Sequence, residues 1–365
     1  MDVILGERIA RHGFADRPCR SVAEAAGRTV AIQAQDHPAA RLGVRARAPD
    51  VTERDVLAAV DDDHSVVRTW LMRGTIHLVD AADARWLVAL FGPALARKFA
   101  TRWRQIGLTQ RYLDRSLPVL REVLAERPRT RAEVVAGMRA CGLKVDFADP
   151  QAGAHILLHA SSTGVVCRAG DRGRQATFTV LDSWVPASPP GPLGDDALAE
   201  LARRYFAAYS PATAADFSVW SGLGGARGVK LIRDELTQCD VYGKPGFRLG
   251  EAAPGDGLRL LPAFDNYLLG YRDRPFVDDR VRGDVYVGGL IRPTVLLDGR
   301  VVGRWTLVRH KPPIRDKPPA GAKVSATVEV RAFEPLSAKL RRAVESEVSD
   351  IARFLDARTE LAFID

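Results

Sequence analysis

Residues 150–180 read PQAGAHILLHASSTGVVCRAGDRGRQATFTV, and they decide the fold of the middle of the chain. The apolar spacing from Pro150 to Ser161 predicts a helix, and the apolar run from Gly164 to Arg168 predicts a strand. Residues 169–174 hold two glycines and two arginines and predict a basic turn, after which Gln175 to Val180 alternates as a second strand. The stretch therefore predicts a helix followed by a hairpin with a cationic tip.

Two further helices are predicted immediately upstream. Leu117 to Arg127 has amphipathic spacing, and Pro128-Arg129-Thr130 supplies the start signals of a helix from Arg131 to Cys141. The order is then helix, helix, helix, strand, basic turn, strand. This order is that of a winged helix, a variant of the helix-turn-helix unit.

Similar orders of elements are predicted on both sides of this segment. In the first part of the chain, helical patterns end near Asp61, and residues 66–79 are β-rich around a central glycine. The Pro-rich segment Val185 to Pro192 marks a linker, and helices are predicted after it over Asp195 to Tyr209, Ser210 to Trp220 and Ala226 to Glu235.

The C-terminal part is predicted to be β-rich over residues 282–333, with an Asp-Gly hairpin turn at Asp298-Gly299, and to close with a helix over Glu334 to Arg358. Together the patterns predict an α+β fold, mainly helical. They also predict three domains, one winged helix in each, over residues 1–100, 101–190 and 191–365.

Composition restricts the class of protein. The chain has 365 residues, 46% hydrophobic and 27% charged, which is typical of a globular protein. No apolar run is long enough to span a membrane, and the N-terminus lacks the order of a signal peptide, so we expect a cytoplasmic protein. The four cysteines form no metal-binding or disulfide spacing. His155 and His159 have a metal-ligand spacing without the adjacent glutamate, so we expect neither a metal nor a cofactor.

Basic residues concentrate in two stretches of a chain whose net charge is +8. Residues 97–131 contain ten basic and three acidic side chains, and a second basic run covers Arg304 to Lys323. Such patches suit a polyanion such as DNA, where phosphate contacts supply much of the affinity. A merely solvated, arginine-rich surface is an equally good interpretation of the charge alone.

Two neutral amides lie two residues apart in Gln33-Ala34-Gln35. An Ala-rich helix is predicted before them, from Ser21 to Ile32, and Asp36 with Pro38 predicts the start of the next helix. The pair therefore lies at a helix–helix corner. If the corner is extended, the side chains at positions i and i+2 share a face.

A second unusual stretch reads Leu261-Pro262-Ala263-Phe264-Asp265-Asn266. Asp265 and Asn266 stand amid large apolar residues, where a buried carboxylate needs polar neighbours. Structural anchoring and participation in a site are equally good interpretations of this pattern.

Four blocks of the chain, in this order, resemble the AlkZ/YcaQ DNA glycosylases. They are Gln33-Ala34-Gln35, Met72 to Leu78, Leu261 to Asn266, and Asp298 to Gly303. The resemblance implies three winged helices in a C-shaped arrangement, excision of N7-alkylated purines and unhooking of interstrand crosslinks. It also implies that Gln33 and Gln35 are the catalytic motif, as in the AlkZ-like branch; the YcaQ branch has aspartate at the second position. The middle residue of the motif is aliphatic in that branch and only alanine here.

The residues expected at the site follow from these patterns and from the resemblance. The catalytic pair is Gln33 and Gln35, and supporting residues are His77, Asp265 and Asn266. The residues predicted to contact DNA are all basic: Arg73, Arg172, Arg174, Arg300, Arg309 and Lys311.

The expected partner is double-stranded DNA carrying N7-alkylpurine lesions or crosslinks, bound by a monomer that is associated with the nucleoid. A non-catalytic winged-helix transcriptional regulator remains the alternative, because helix-turn-helix units and basic charge would serve it equally well. A nucleotide-dependent enzyme is disfavoured because the chain has no phosphate-binding loop motif.

Overall fold

The computed structural model describes residues 2–145, 147–187, 189–310 and 325–364. The helices it contains are α1 (Val3–Arg11), α2 (Val22–Arg28), α3 (His37–Arg45), α4 (Glu53–Asp61), α5 (Ala81–Gln105), α6 (Gln110–Val123), α7 (Arg131–Ala140), α8 (Ala152–Ser162), α9 (Leu181–Trp184), α10 (Gly194–Tyr209), α11 (Ala214–Ser221), α12 (Gly225–Leu231), α13 (Asn266–Leu269), α14 (Arg282–Val285) and α15 (Ala338–Leu355).

The strands are β1 (Ile32–Gln33), β2 (Val66–Trp70), β3 (Ile76–Asp80), β4 (Arg129–Thr130), β5 (Val166–Arg172), β6 (Gln175–Val180), β7 (Thr237–Asp240), β8 (Pro245–Arg248), β9 (Leu258–Leu261), β10 (Tyr286–Val287), β11 (Leu290–Ile291), β12 (Thr294–Leu297), β13 (Arg300–Arg309), β14 (Ser325–Ala332) and β15 (Arg358–Phe363). The prediction of an α+β fold with more helix than strand and a β-rich C-terminal part is confirmed.

The chain groups into two compact units. Unit 1 comprises residues 1–56, 202–220 and 224–365, and unit 2 comprises residues 57–201 and 221–223. The predicted boundaries of three winged-helix domains, 1–100, 101–190 and 191–365, stay a prediction.

Unit 2 contains the elements predicted from residues 150–180 and their upstream helices. The order α6, β4, α7, α8, β5, β6 is observed, with β4 and β5 both antiparallel to β6. The sheet of this unit runs β3-β2-β5-β6-β4. Thr130 and Glu133 form a reciprocal capping box at the start of α7, which explains why that helix begins where the sequence predicts. The tip of the β5–β6 hairpin is Gly173, with φ of 64°.

Unit 1 is built on a five-stranded sheet in the order β15-β14-β13-β12-β9. Asp298 and Gly299 connect β12 to β13 with φ of 47° and 82°, as a two-residue turn of this type requires, so the predicted hairpin is confirmed. Helix α15 packs against β9 and β15. The buried Arg45 of α3 pairs with Glu347 and Asp350 of α15 at 3.1 and 2.8 Å. These ion pairs anchor the helix that follows Gln33-Ala34-Gln35, the segment called the Gln corner below.

Several predicted helices have different bounds, and α12, predicted to reach Glu235, ends at Leu231. Helix α6 begins at Gln110 instead of Leu117, because the Thr109 side chain caps it by accepting from the Tyr112 N–H. Helix α2 ends at Arg28, four residues before the predicted Ile32. Helix α15 begins at Ala338, capped by Ser337 and preceded by Pro335, which disfavours helical backbone at Glu334.

Candidate functional site

The Gln33-Ala34-Gln35 segment lies between two capped helices, as predicted. Ser21 caps α2 and Asp36 caps α3, the latter by accepting from the Ala39 N–H at 3.0 Å. Between them Val30 has φ of 71°, a left-handed conformation that is a genuine outlier for a β-branched residue. Such strain persists only where the surroundings enforce it, and it often marks functional segments.

The two glutamines have different environments. Gln33 is 6% exposed, whereas Gln35 is exposed. The backbone N–H of Gln35 donates to Oε1 of Gln33 at 3.3 Å. Since only the oxygen of a side-chain amide accepts a hydrogen bond, this contact fixes which way the Gln33 amide points. Gln33 is therefore the oriented member of the pair, and Gln35 is the member at the surface.

Asn266 holds the backbone of this corner. Its Oδ1 accepts from the Gln33 N–H at 3.1 Å, and its Nδ2 donates to the Ala31 carbonyl at 2.6 Å and to the Tyr209 hydroxyl at 3.0 Å. Asn266 is 3% exposed. One buried amide thus bonds the chain on both sides of Ile32, so small displacements of the Gln33 backbone would cost hydrogen bonds in a buried environment.

Asp265 is occupied by structural contacts. Its two oxygens accept from Nη1 and Nη2 of Arg47, each at 3.0 Å, and Oδ1 also accepts from the Tyr267 N–H at 2.9 Å. Both partners of the ion pair are almost fully buried. Burial opposes the charge of Arg47, but the Asp265 carboxylate raises its pKa above the ordinary value. These contacts favour the anchoring interpretation of Asp265 over a direct part in chemistry.

An aromatic cluster packs behind Asn266 and the Arg47–Asp265 pair. The ring of His12 lies 4.7 Å from that of Tyr209 and 5.1 Å from that of Tyr267. Burial, with Arg47 adding to it, lowers the pKa of His12 well below its ordinary value, so the imidazole is neutral. Sequence reasoning missed His12, Arg47 and Tyr209, since each stands in an ordinary helical pattern that gives no signal of its partner.

His77 is buried within unit 2. It is 2% exposed, and its Nδ1 lies 3.0 Å from the Thr75 carbonyl, which requires a proton on that nitrogen. Burial, followed by the charge of Arg73, lowers the pKa of His77 to about 3. His77 is accordingly neutral near pH 7, and its supporting role stays a prediction.

The basic residues predicted to contact DNA have different local partners. Arg172 on the hairpin of unit 2 pairs with Glu133 at 2.9 Å, whereas Arg174 is exposed just beyond Gly173. In unit 1, Arg309 pairs with Glu53 at 2.7 Å, and Arg300 pairs with Asp2 at 3.3 Å.

Arg73 and Lys311 are the other two residues predicted to contact DNA. Arg73 of unit 2 has φ of 57°, and its carbonyl accepts from the Lys98 ammonium. Lys311 lies outside the described residues.

No cluster of three metal-ligating side chains occurs within the described ranges. His155 and His159 both lie on α8, and the His159 ring packs edge-on against Trp103 at 5.2 Å. His159 is buried and His155 is half-buried, and burial lowers the pKa of each. Among the residues that the structure describes, no helix has both the length and the apolar character to cross a membrane.

Comparison with known proteins identifies the class. The family model "DNA glycosylase AlkZ-like" matches residues 26–354. An "Interstrand DNA cross-link repair glycosylase" of Streptomyces sahachiroi is 32% identical over 327 residues, covering 82% of this chain and 86% of that protein. The structure is also similar to that of Streptomyces sahachiroi DNA glycosylase AlkZ, with a TM-score of 0.80, 28% identity, and coverage of 99% and 98% of the two chains.

These matches define a DNA glycosylase, a hydrolase of the N-glycosyl bond that joins a base to deoxyribose. The chain belongs to the AlkZ-like family. Membership in a family of enzymes decides against the alternative of a non-catalytic regulator, and DNA is the substrate.

Proposed function

We propose that this enzyme hydrolyses the N-glycosyl bond of N7-alkylated purines in duplex DNA, including purines joined in interstrand crosslinks, with Gln33 and Gln35 as its catalytic pair. The observation that carries the proposal is the arrangement of Gln33, whose side-chain oxygen accepts from the Gln35 N–H and whose backbone N–H donates to Asn266, beside the exposed amide of Gln35. The similarity to a protein named as a crosslink repair glycosylase supports the substrate.

The chemistry of the lesion matches these residue types. An N7-alkylguanine carries a positive charge and departs as a neutral base, so its bond to the sugar breaks without a strong general acid. The sugar is left as an oxocarbenium ion that a water molecule must capture. An amide oxygen can accept a hydrogen bond from that water and place partial negative charge near the cation.

The two glutamines would divide this work. In this proposal Gln35, which is exposed, contacts the water or the sugar, and Gln33 keeps the segment and its own amide in one orientation. Neither amide can take a full proton as a carboxylate can. The enzyme should therefore act on cationic bases and leave neutral ones in place.

The supporting residues have positioning roles in this proposal. Asn266 holds the Gln33 backbone, and the Arg47–Asp265 pair holds the segment that carries Asn266. A crosslinked guanine cannot readily be flipped out of the duplex, because it is tied to the opposite strand, so we expect an open site. We also expect a monomer that acts on nucleoid DNA without a metal or a cofactor.

The test is product analysis on defined duplexes. Purified protein should release N7-alkylguanine from alkylated duplex DNA, detected by mass spectrometry, and should leave an unbroken strand with an abasic site. A uracil-containing duplex should be inert, because uracil is a poorer, neutral leaving group. Efficient uracil release would contradict the leaving-group argument, and borohydride trapping of a protein–DNA adduct would contradict simple hydrolysis.

A further inference from the structure

A cavity of about 300 Å³ in unit 1 lies apart from the Gln corner. Its volume is within the range of small-ligand sites. The positively charged side chains that line it are Arg8, Lys244, Arg272, Arg274 and Arg282. Two carboxylates also line it, so the formal charge of the lining is 5 − 2 = +3.

The two carboxylates are already engaged. Asp273 pairs with Lys244 at 2.5 Å. One oxygen of Asp216 accepts from the N–H and hydroxyl of Thr213 at 2.8 and 2.9 Å, and the other accepts from the Arg272 N–H at 2.8 Å. Among the described residues, neither carboxylate of the lining forms an ion pair with a guanidinium group of the cavity.

Arg8 is the most deeply placed of these groups, at 1% exposure. Its Nε and Nη2 donate to the Pro211 carbonyl at 3.0 and 2.8 Å, and its guanidinium stacks 3.8 Å from the centre of the Tyr271 ring. Its Nη1 is buried without a hydrogen-bond partner in the part of the chain that the structure describes. A buried, charged donor without a partner is costly, and such a site gains most from an anion.

Arg272 and Arg274 extend the same pattern toward the surface. Within the described residues neither side chain forms an ion pair, whereas Arg17, Arg45 and Arg203 of the same unit all do. The guanidinium carbon of Arg274 lies over the Tyr286 ring, 4.0 Å from its centre, and its buried Nε has no hydrogen-bond partner among the described residues. Stacking of this kind presents a guanidinium in one orientation without neutralising it.

We propose that this cavity binds a phosphate group. Arg272 and Arg274, which form no ion pair among the described residues, provide the planar paired donors that recognise phosphate oxygens. Arg8 adds its unpartnered Nη1, and the net positive lining attracts the anion. The phosphate can be a phosphodiester of the DNA backbone or a free phosphate, and binding experiments separate the two. No residue of the proposed catalytic pair lines the cavity, so this inference is independent of the proposed chemistry.

The test compares two double variants of the full chain that lose the same charge. Arg272→Ala with Arg274→Ala removes two unpaired groups of the cavity. Arg203→Ala with Arg280→Ala removes two arginines of unit 1 that are paired with Glu235 and Asp278. Each protein is titrated with an undamaged duplex over a range of salt concentrations by fluorescence anisotropy, and with inorganic phosphate by calorimetry. Thermal unfolding verifies that both variants are folded.

A backbone phosphodiester predicts that the cavity variant binds duplex about tenfold or more weakly than the control variant, with a salt slope smaller by about one. A free phosphate predicts equal duplex binding by the two variants, together with phosphate binding that the control keeps and the cavity variant loses. The proposal is overturned if the two variants bind duplex alike and inorganic phosphate binds to neither, or equally to both. Excision activity does not enter either readout.

Discussion

The side chain of Asn266 is bonded to the backbone of Gln33, whose N–H donates to Asn266 Oδ1 at 3.1 Å. The two residues are 233 positions apart in the chain. The same amide of Asn266 also bonds Ala31 and Tyr209. The geometry of the Gln33-Ala34-Gln35 segment therefore depends on a segment near the C-terminal sheet of unit 1.

Replacing Asn266 with alanine should slow excision more than it weakens DNA binding. The variant loses the bonds that hold the Gln33 backbone, and misplacement of a catalytic group by about 1 Å costs on the order of 10²-fold in rate. Single-turnover excision of N7-alkylguanine at saturating protein measures the rate, and anisotropy with undamaged duplex measures binding. The exposed Gln238 supplies a matched control, Gln238→Ala, that should keep the rate of the unchanged protein.

Asn266→Asp refines this test because it keeps the acceptor and loses the donor. Protonation of the introduced carboxyl group would restore a donor, so excision by this variant should improve relative to the unchanged protein as pH falls. A rate for Asn266→Ala equal to that of the unchanged protein would show that the Gln33 backbone needs no such support.

Asp265→Ala should destabilise unit 1. It leaves the Arg47 guanidinium buried without its carboxylate, and removal of one partner of a buried pair costs about 3–5 kcal/mol. Denaturant unfolding measures the loss. If Asp265→Asn is as stable as the unchanged protein yet cannot excise, Asp265 takes part in the chemistry and the anchoring account is wrong.

His77 should make unfolding of unit 2 sensitive to acid. Its pKa is about 3 when folded and about 6.5 when unfolded, so the unfolded chain binds the extra proton. The stabilisation is complete above the unfolded pKa and is lost as pH falls below about 6.5. Between about pH 6.5 and pH 5 the loss is about 2 kcal/mol. Over this pH interval, the free energy of unfolding of His77→Gln should fall by about 2 kcal/mol less than that of the unchanged protein, as measured by denaturant unfolding. An equal fall in both proteins would contradict the buried, neutral state of His77.

Glu133→Gln should tighten the binding of DNA. Glu133 pairs with Arg172, and glutamine can still complete the capping box with Thr130 while releasing the arginine. Affinity for undamaged duplex should rise a few fold at low salt, with a salt slope larger by about one. Glu345→Gln, an exposed acid on α15, removes the same charge as a control. An identical change in both variants would mean that the hairpin of unit 2 does not contact DNA.

Local signals predicted the elements of this fold well. Capping residues such as Asp36 and Thr130, the Asp298-Gly299 turn and the hairpin around Gly173 all act over a few residues, so the sequence displays them directly. Strand β15 was missed, because its pairing is parallel to β14 and the connecting helix hides the partner strand.

The candidate site was predicted only in part, because its contacts join residues that are far apart in the chain. Gln33 and Gln35 stand out as a motif, but neither the burial of Gln33 nor its bond to Asn266 follows from a local pattern. Arg47 carries no signal in the sequence, yet it is fully buried against Asp265, 218 positions away. Long-range pairing of this kind is set by tertiary packing, which no window of the sequence contains.

The most direct test of the central claim is the excision rate of the double variant Gln33→Ala with Gln35→Ala. Because both side chains are uncharged, duplex affinity and its salt slope should stay near those of the unchanged protein, while the single-turnover rate of N7-alkylguanine release falls by about 10²-fold or more. Circular dichroism and thermal unfolding establish that the variant is folded. A folded double variant that releases N7-alkylguanine at the unchanged rate would contradict the account and place the chemistry elsewhere.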